Sequence, residues 1–315
     1  MLKHPELTLA RVERFIRNEL QPRIWASQVA MQAGVYRPSG NISPGDAPRQ
    51  VYTPVQPGYT WGPIWSDAWF RFTAVVPPEW RGQTVCALID CGAEAVVWVG
   101  DDPKQGIDEN HREYLLTDSA IGGEEITLYV QATGMNPYVS VDARPVEPPP
   151  NPFTFRYANL AVWDREITAL FFDMQVALEV LKELPANEPR RAQLLYALNE
   201  AVNAFDPSDR GSIARCRQIV AQTYNKPACP SAHQISAIGH AHIDTAWLWP
   251  LERTQQKCIH TFATAVRLME MYPEYKFICS QAQQYAWVKE LAPRLYERIK
   301  QKVREGQWEV AGSMW

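Results

Sequence analysis

The chain has 315 residues, 46% of them hydrophobic and 21% charged, with a formal net charge of −4. That is globular composition, long enough for two or three domains. With both charge signs interspersed and no basic stripe, it argues against a nucleic-acid partner. No stretch approaches the roughly 20 apolar residues of a membrane span, so no membrane partner is expected. Met1 to Trp25 alternates charged and apolar residues, without the apolar run of a secretory signal. The six cysteines, at 86, 91, 216, 229, 258 and 279, form no Cys-x-x-Cys pair and read as reduced, buried thiols. Together these features place the protein in the cytoplasm.

In chain order, Leu7 to Glu19 has the apolar spacing of a short amphipathic helix. Ala30 to Gly62 is rich in Pro, Gly and Ser and reads as an extended segment lying over a domain, so residues 1–60 form an N-terminal helix and extension. Residues 61–147 carry short strands between turn residues: Trp69 to Val76, Thr84 to Cys91, Ala95 to Val99, Arg112 to Leu116, Ile126 to Ala132 and Tyr138 to Val141. Such spacing predicts a β-sandwich or jelly roll. Glu147 to Pro152 holds four prolines and marks a stiff boundary.

Residues 153–230 read as a helical connector. Val162 to Leu184 has apolar residues at three- and four-residue steps and stops at Pro185; Arg190 to Phe205 follows, with Pro189 in its first turn. A third helix, capped by Ser208 or Asp209, runs to about Tyr224, and 226–230 is a loop. From 231 to 315 the pattern becomes βαβαβ: Gln234 to Gly239, a helix from Glu252 to Met271, Lys276 to Ser280, a helical stretch from Gln283 to Arg304 broken at Pro293, and a strand from Trp308. That order predicts a parallel sheet. The fold class is therefore α+β and multidomain: sandwich, helical connector, and the start of a parallel (β/α)7-type barrel. Three strands cannot cover both faces and both edges of such a sheet, so the sequence reads as the front of a longer protein. The alternative is a small α/β unit leaning on the sandwich.

The chemistry-bearing segment is Ala237-Ile-Gly-His-Ala-His-Ile-Asp-Thr-Ala-Trp-Leu-Trp249, at the end of the first parallel strand, where such folds bind ligands. In extended chain His240, His242 and Asp244 share one side. Imidazole and carboxylate suit Zn²⁺, and Co²⁺ suits the same donors. The segment supplies two firm ligands, and a catalytic zinc needs at least one more from elsewhere. Spacing alone leaves a metal-dependent amidohydrolase or deacetylase open, with both histidines as ligands and Asp244 excluded. It also leaves a satisfied polar cluster open.

The run Gly239-His-Ala-His-Ile-Asp-Thr-Ala-Trp-Leu-Trp-Pro250 closely resembles the first zinc motif of α-mannosidases of glycoside hydrolase family 38. Phe277 to Gln284 and Gly306 to Trp315 are similar to two further motifs of that family. Trp61-Gly-Pro-Ile-Trp65, Trp69 to Phe72 and Asn199 to Asp206 fit its cytosolic neutral subgroup. The resemblance implies a retaining glycosidase acting on a mannose-containing oligosaccharide or small mannoside. It makes His242 and Asp244 zinc ligands, Trp247 an aromatic wall beside the sugar, and His240 a neighbour of unassigned role. It also implies that the nucleophile Asp and a last His ligand lie beyond Trp315, so no catalytic residue is assigned within the chain, and the chain alone should be inactive and bind zinc weakly. Oligomerisation of the full-length protein is left open. Glu252, Glu270 and Glu309 read as surface or packing residues. A third reading, a carbohydrate-binding module, would use exposed Trp65, Trp80 or Trp98.

Overall fold

The computed structural model describes residues 4–136, 147–225 and 230–312. The chain forms two compact units, Met1–Gln28 with Ala161–Ile235, and Val29–Leu160 with Ser236–Trp315. Among the described residues no helix is long and apolar enough to cross a membrane.

The first unit is helical. Helix α1 spans Pro5–Phe15 and continues as a wide turn, Ile16–Leu20. Helix α2, Arg165–Glu183, starts where the Asp164 carboxylate accepts from the Ile167 N–H at 3.1 Å. It buries Ile167, Leu170, Met174, Ala177, Leu178 and Leu181, one face of a 3.6-residue period. Pro185 ends it by disfavouring helical backbone at Leu184, which is extended. Helices α3, Pro189–Ala204, and α4, Gly211–Tyr224, close the core around Leu194, Leu198, Cys216 and Val220, against Val12 and Phe15 of α1. The loop expected at 226–230 lies largely outside the described residues.

The second unit is built on antiparallel sheets. Its strands are β1 (Trp25–Ala30), β2 (Gln32–Tyr36), β3 (Thr53–Val55), β4 (Thr60–Trp61), β5 (Asp67–Val75), β6 (Val85–Asp90), β7 (Glu94–Val99), β8 (Asp102–Ile107), β9 (Glu113–Thr117), β10 (Glu125–Thr133), β11 (Phe153–Thr154) and β12 (Tyr157–Trp163). A six-stranded sheet runs β3-β2-β5-β10-β7-β8, and a four-stranded sheet runs β1-β12-β6-β9. In the larger sheet, Phe70 pairs with Val130 and Phe72 with Leu128. Phe70 and Phe72 pack on Phe155 at ring separations of 5.6 and 5.7 Å. The opposite face, with Trp69 and Trp98, belongs to a core shared with helix α5, Leu251–Met271. Three parallel strands, β13 (Gly239–His240), β14 (Phe277–Ile278) and β15 (Trp308–Glu309), follow in that order, with α6 (Ala282–Leu291) and α7 (Pro293–Arg304) between the last two.

The structure departs from the sequence reading in several places. The stretch read as an extended cover enters the sheets as β2, β3 and β4. Pro54 sits on the edge strand β3, where a missing N–H costs little. Strand β8, Asp-Pro-Lys-Gln-Gly-Ile, looks like a turn in sequence but is the other sheet edge, and Pro103 there faces Trp98. Tyr157 to Trp163 is a strand, so the helix predicted from Val162 begins at Arg165. Gln234 to Ile238 is not strand; β13 is an edge with one neighbour and holds only two residues. The expected strand at Tyr138 to Val141 lies outside the described residues. Trp80 and Trp98 are 5% and 4% exposed and Trp65 is partly buried; Trp98, on β7, lies in the core shared with α5. This removes the exposed tryptophan surface on which the binding-module reading rested.

Candidate functional site

Strand β13 pairs in parallel with β14, Gly239 opposite Phe277 and His240 opposite Ile278. The chain leaves the sheet at His240, so residues 241–250 form the loop at the carboxyl end of the strand. Alternation persists through its first half. Ile243 points into the core and is buried, while His242 and Asp244 point the other way. The Ile243 carbonyl accepts from Gln284 Nε2 at 2.8 Å, which ties the loop to α6.

His242 Nε2 lies 3.0 Å from Asp244 Oδ1. The side chains are 73% and 39% exposed, so both donors reach solvent. An imidazole nitrogen and a carboxylate oxygen at that separation can share one cation at bond lengths of about 2.0–2.2 Å. The donor set therefore fits zinc as two ligands of a larger set. Among the described residues no group of three or more His, Cys, Asp or Glu gathers as a metal cage. Nearby thiols do not add to it: burial pushes Cys258 up to about 12 and also raises Cys279, so both stay protonated. The His240 side chain is exposed.

Trp247 is 56% exposed and stands edge-on to Trp249, with ring centroids 5.7 Å apart and planes at 89°. Trp249 is the anchored member: its Nε1–H donates to Thr254 Oγ1 at 3.0 Å, and Lys257 Nζ sits 4.9 Å from its ring centroid. Arg253, in the first turn of α5, donates to Asp67 Oδ1 of β5 at 2.5 Å and to the Trp65 carbonyl. Sequence reasoning singled out His242, Asp244 and Trp247, which lie together on this loop, and did not single out Thr254, Gln284 or Arg253, whose hydrogen bonds hold the loop and the start of α5. Polar residues on a buried helix face were the available signal.

Two stretches match known domain families. Residues 232–315 match the glycosyl hydrolases family 38 N-terminal domain, and residues 28–161 match the alpha-mannosidase jelly roll domain. The chain is 34% identical over 330 residues to human Alpha-mannosidase 2C1, covering 100% of this chain and 31% of that protein. It is 30% identical to Alpha-mannosidase G of Dictyostelium discoideum, covering 100% of this chain and 30% of that protein. With the Alpha-mannosidase of Saccharomyces cerevisiae the identity is 29%, over 81% of this chain and 25% of that protein. The chain thus spans under a third of the length of these relatives. The family 38 match includes the whole loop from His240 to Trp249, and the jelly roll match includes β5 to β10.

Proposed function

We propose that the chain is the front part of a retaining α-mannosidase whose zinc is held in part by His242 and Asp244, with Trp247 as a wall beside the sugar. The observation that carries this is the 3.0 Å approach of His242 Nε2 to Asp244 Oδ1 at the carboxyl end of the first parallel strand. When bound, the cation supplies a fixed positive charge that can grip sugar hydroxyls. The chain's own residues orient: His242 and Asp244 fix where the hydroxyls sit, and the exposed Trp247 ring offers an apolar face for one side of a pyranose. The substrate class is a mannose-containing oligosaccharide or small mannoside. Strands β13 to β15 are the opening strands of a (β/α)7-type barrel in this reading. The buried thiols of Cys91, Cys216, Cys258 and Cys279 suit a reducing, cytoplasmic setting.

Retention requires two carboxylates about 5–5.5 Å apart, one as nucleophile and one as acid and base. Asp244 is the one carboxylate of the loop, and it faces His242. The 315-residue chain alone is therefore expected not to hydrolyse an aryl α-mannoside. It is expected to take up Zn²⁺ or Co²⁺ weakly, and to lose that uptake in H242A and D244N while H240A keeps it. Loss in H240A with D244N unaffected would instead favour the amidohydrolase arrangement. Sustained mannoside turnover by the purified chain would overturn the division of the site.

A further inference from the structure

The loop that carries the ligand pair contains a backbone conformation that needs a restraint. Ala246 has φ of +54°, the left-handed region, which a residue with a Cβ enters at a steric cost. One hydroxyl meets the loop at three points. Thr254, fully buried on α5, accepts at Oγ1 from the Ala246 N–H at 3.0 Å and from Trp249 Nε1–H at 3.0 Å. The same hydroxyl donates to the Asp244 carbonyl at 3.4 Å. A hydroxyl has one proton to give and two lone pairs to fill, so its capacity is used completely. From the other side, Gln284 holds the Ile243 carbonyl, and the Thr245 hydroxyl donates to Gln281 Oε1 at 3.1 Å.

We infer that Thr254 is the positioning residue of the His242–Asp244 pair. Its hydroxyl sets the turn over residues 244–249 that aims the Asp244 carboxylate at His242 and leaves Trp247 standing in solvent. The inference rests on the metal and sugar reading above and deepens it. Two ligands bind a cation well only when their separation is fixed beforehand, and groups that orient ligands from behind typically carry 10–100-fold of metal affinity. The Thr254 side chain reaches neither donor atom pair directly; it acts through the carbonyl of one ligand residue and the amide two residues later. Valine has nearly the shape of threonine, so Thr254→Val removes the three bonds and keeps the packing. Thr254→Ser keeps the hydroxyl.

The test uses the 315-residue chain with cobalt(II) as the probe ion, read by its visible absorption, together with amide hydrogen exchange across residues 244–250. T254V should exchange the Ala246 amide at least about tenfold faster and bind cobalt about 10–100-fold more weakly. T254S should stay close to wild type in both. H242A should weaken cobalt binding with Ala246 exchange unchanged. Unaltered exchange in T254V overturns the inference, and so does faster exchange with cobalt affinity unchanged. If T254V does not fold, W249F removes one of the three bonds and should give the same two effects at about fivefold, the worth of roughly one hydrogen bond; no change there overturns it equally. A wild-type chain that takes up no cobalt defeats the metal reading by itself. In that case Ala246 exchange, slow in wild type and T254S and fast in T254V, still decides whether Thr254 sets the turn.

Discussion

The imidazole of His260 occupies the space that a side chain on Gly106 would need: a Cβ built on that glycine would overlap the ring. One turn further along α5, Thr264 Oγ1 accepts from the Gly106 N–H at 3.0 Å. Strand β8 thus lies directly against α5, and the absent side chain is what lets the strand and the helix approach. Gly106→Ala should destabilise the chain by about 1–3 kcal/mol, the usual cost of an overpacked core. The G106A/H260A double variant should lose less than the sum of the single losses, since removing the ring vacates the space. Urea unfolding of the four proteins checks this, and strictly additive losses would refute the contact.

The same ring makes the fold sensitive to mild acid. Burial is the main influence on His260 and holds its pKa below the ordinary value. Glu94, 3.9 Å from Nδ1, and Asp108, 3.8 Å from Nε2, pull it upward, while Lys257 and His111 push it down. A histidine whose folded pKa is depressed is neutral when folded, so the unfolded chain takes up the proton first. Its contribution is complete above about pH 6.5 and is lost as pH falls through the lower folded value. Stability should therefore decline from pH 7 toward pH 5.5 in the wild type, and less steeply in H260Q. Equal slopes in the two proteins would count against it.

The facing of residues 242–244 was legible in the sequence because the alternation survives in the structure: Ile243 goes inward and His242 and Asp244 go outward. The helices were legible from apolar spacing and prolines, as at Pro185 and Pro293. Strands β3 and β8 were not, because Pro54, Pro103 and Gly106 argue against strand anywhere except at a sheet edge, and edge position is a property of the assembled sheet. The tryptophans misled for a related reason. Trp98 alternates correctly on β7, but the face it occupies is covered by α5, from more than 150 residues further along the chain. Thr254 gave only the weak signal of a polar residue on a buried helix face, and nothing local to it announces three tertiary hydrogen bonds.

The jelly roll also holds α5 electrostatically. Asp67 and Arg253 have side chains 7% and 10% exposed and meet at 2.5 Å. The second carboxylate oxygen of Asp67 accepts from Gln131 and Gln256, each at 2.9 Å. Removing one member of a buried pair leaves the other charge without compensation, at about 3–5 kcal/mol, whereas replacing both is far milder. Asp67→Ala should accordingly destabilise strongly, and D67A/R253M should recover much of the loss. Denaturant midpoints for the single and double variants check this. A double variant weaker than D67A would show that the pair contributes net attraction beyond desolvation.

In the helical unit, acid should act through Asp164. Burial alone would raise this carboxyl, but hydrogen bonds from Arg210, at 2.7 and 3.2 Å, and from the Ile167 N–H outweigh it and hold its pKa below the usual carboxylate range. A depressed carboxylate stabilises the fold fully above its unfolded pKa of about 3.9, and the contribution is lost as pH falls through the folded value. Asp164→Asn retains an oxygen to cap α2 and gives up the charge; Asp164→Ala gives up both. At pH 7 D164A should lose about 0.5–2 kcal/mol from the cap, plus the Arg210 bond. Between pH 5 and pH 3 the wild type should lose more stability than D164N, because only the wild type has this proton to take up. Parallel losses in that window would place the acid sensitivity elsewhere and leave Asp164 as a helix cap alone.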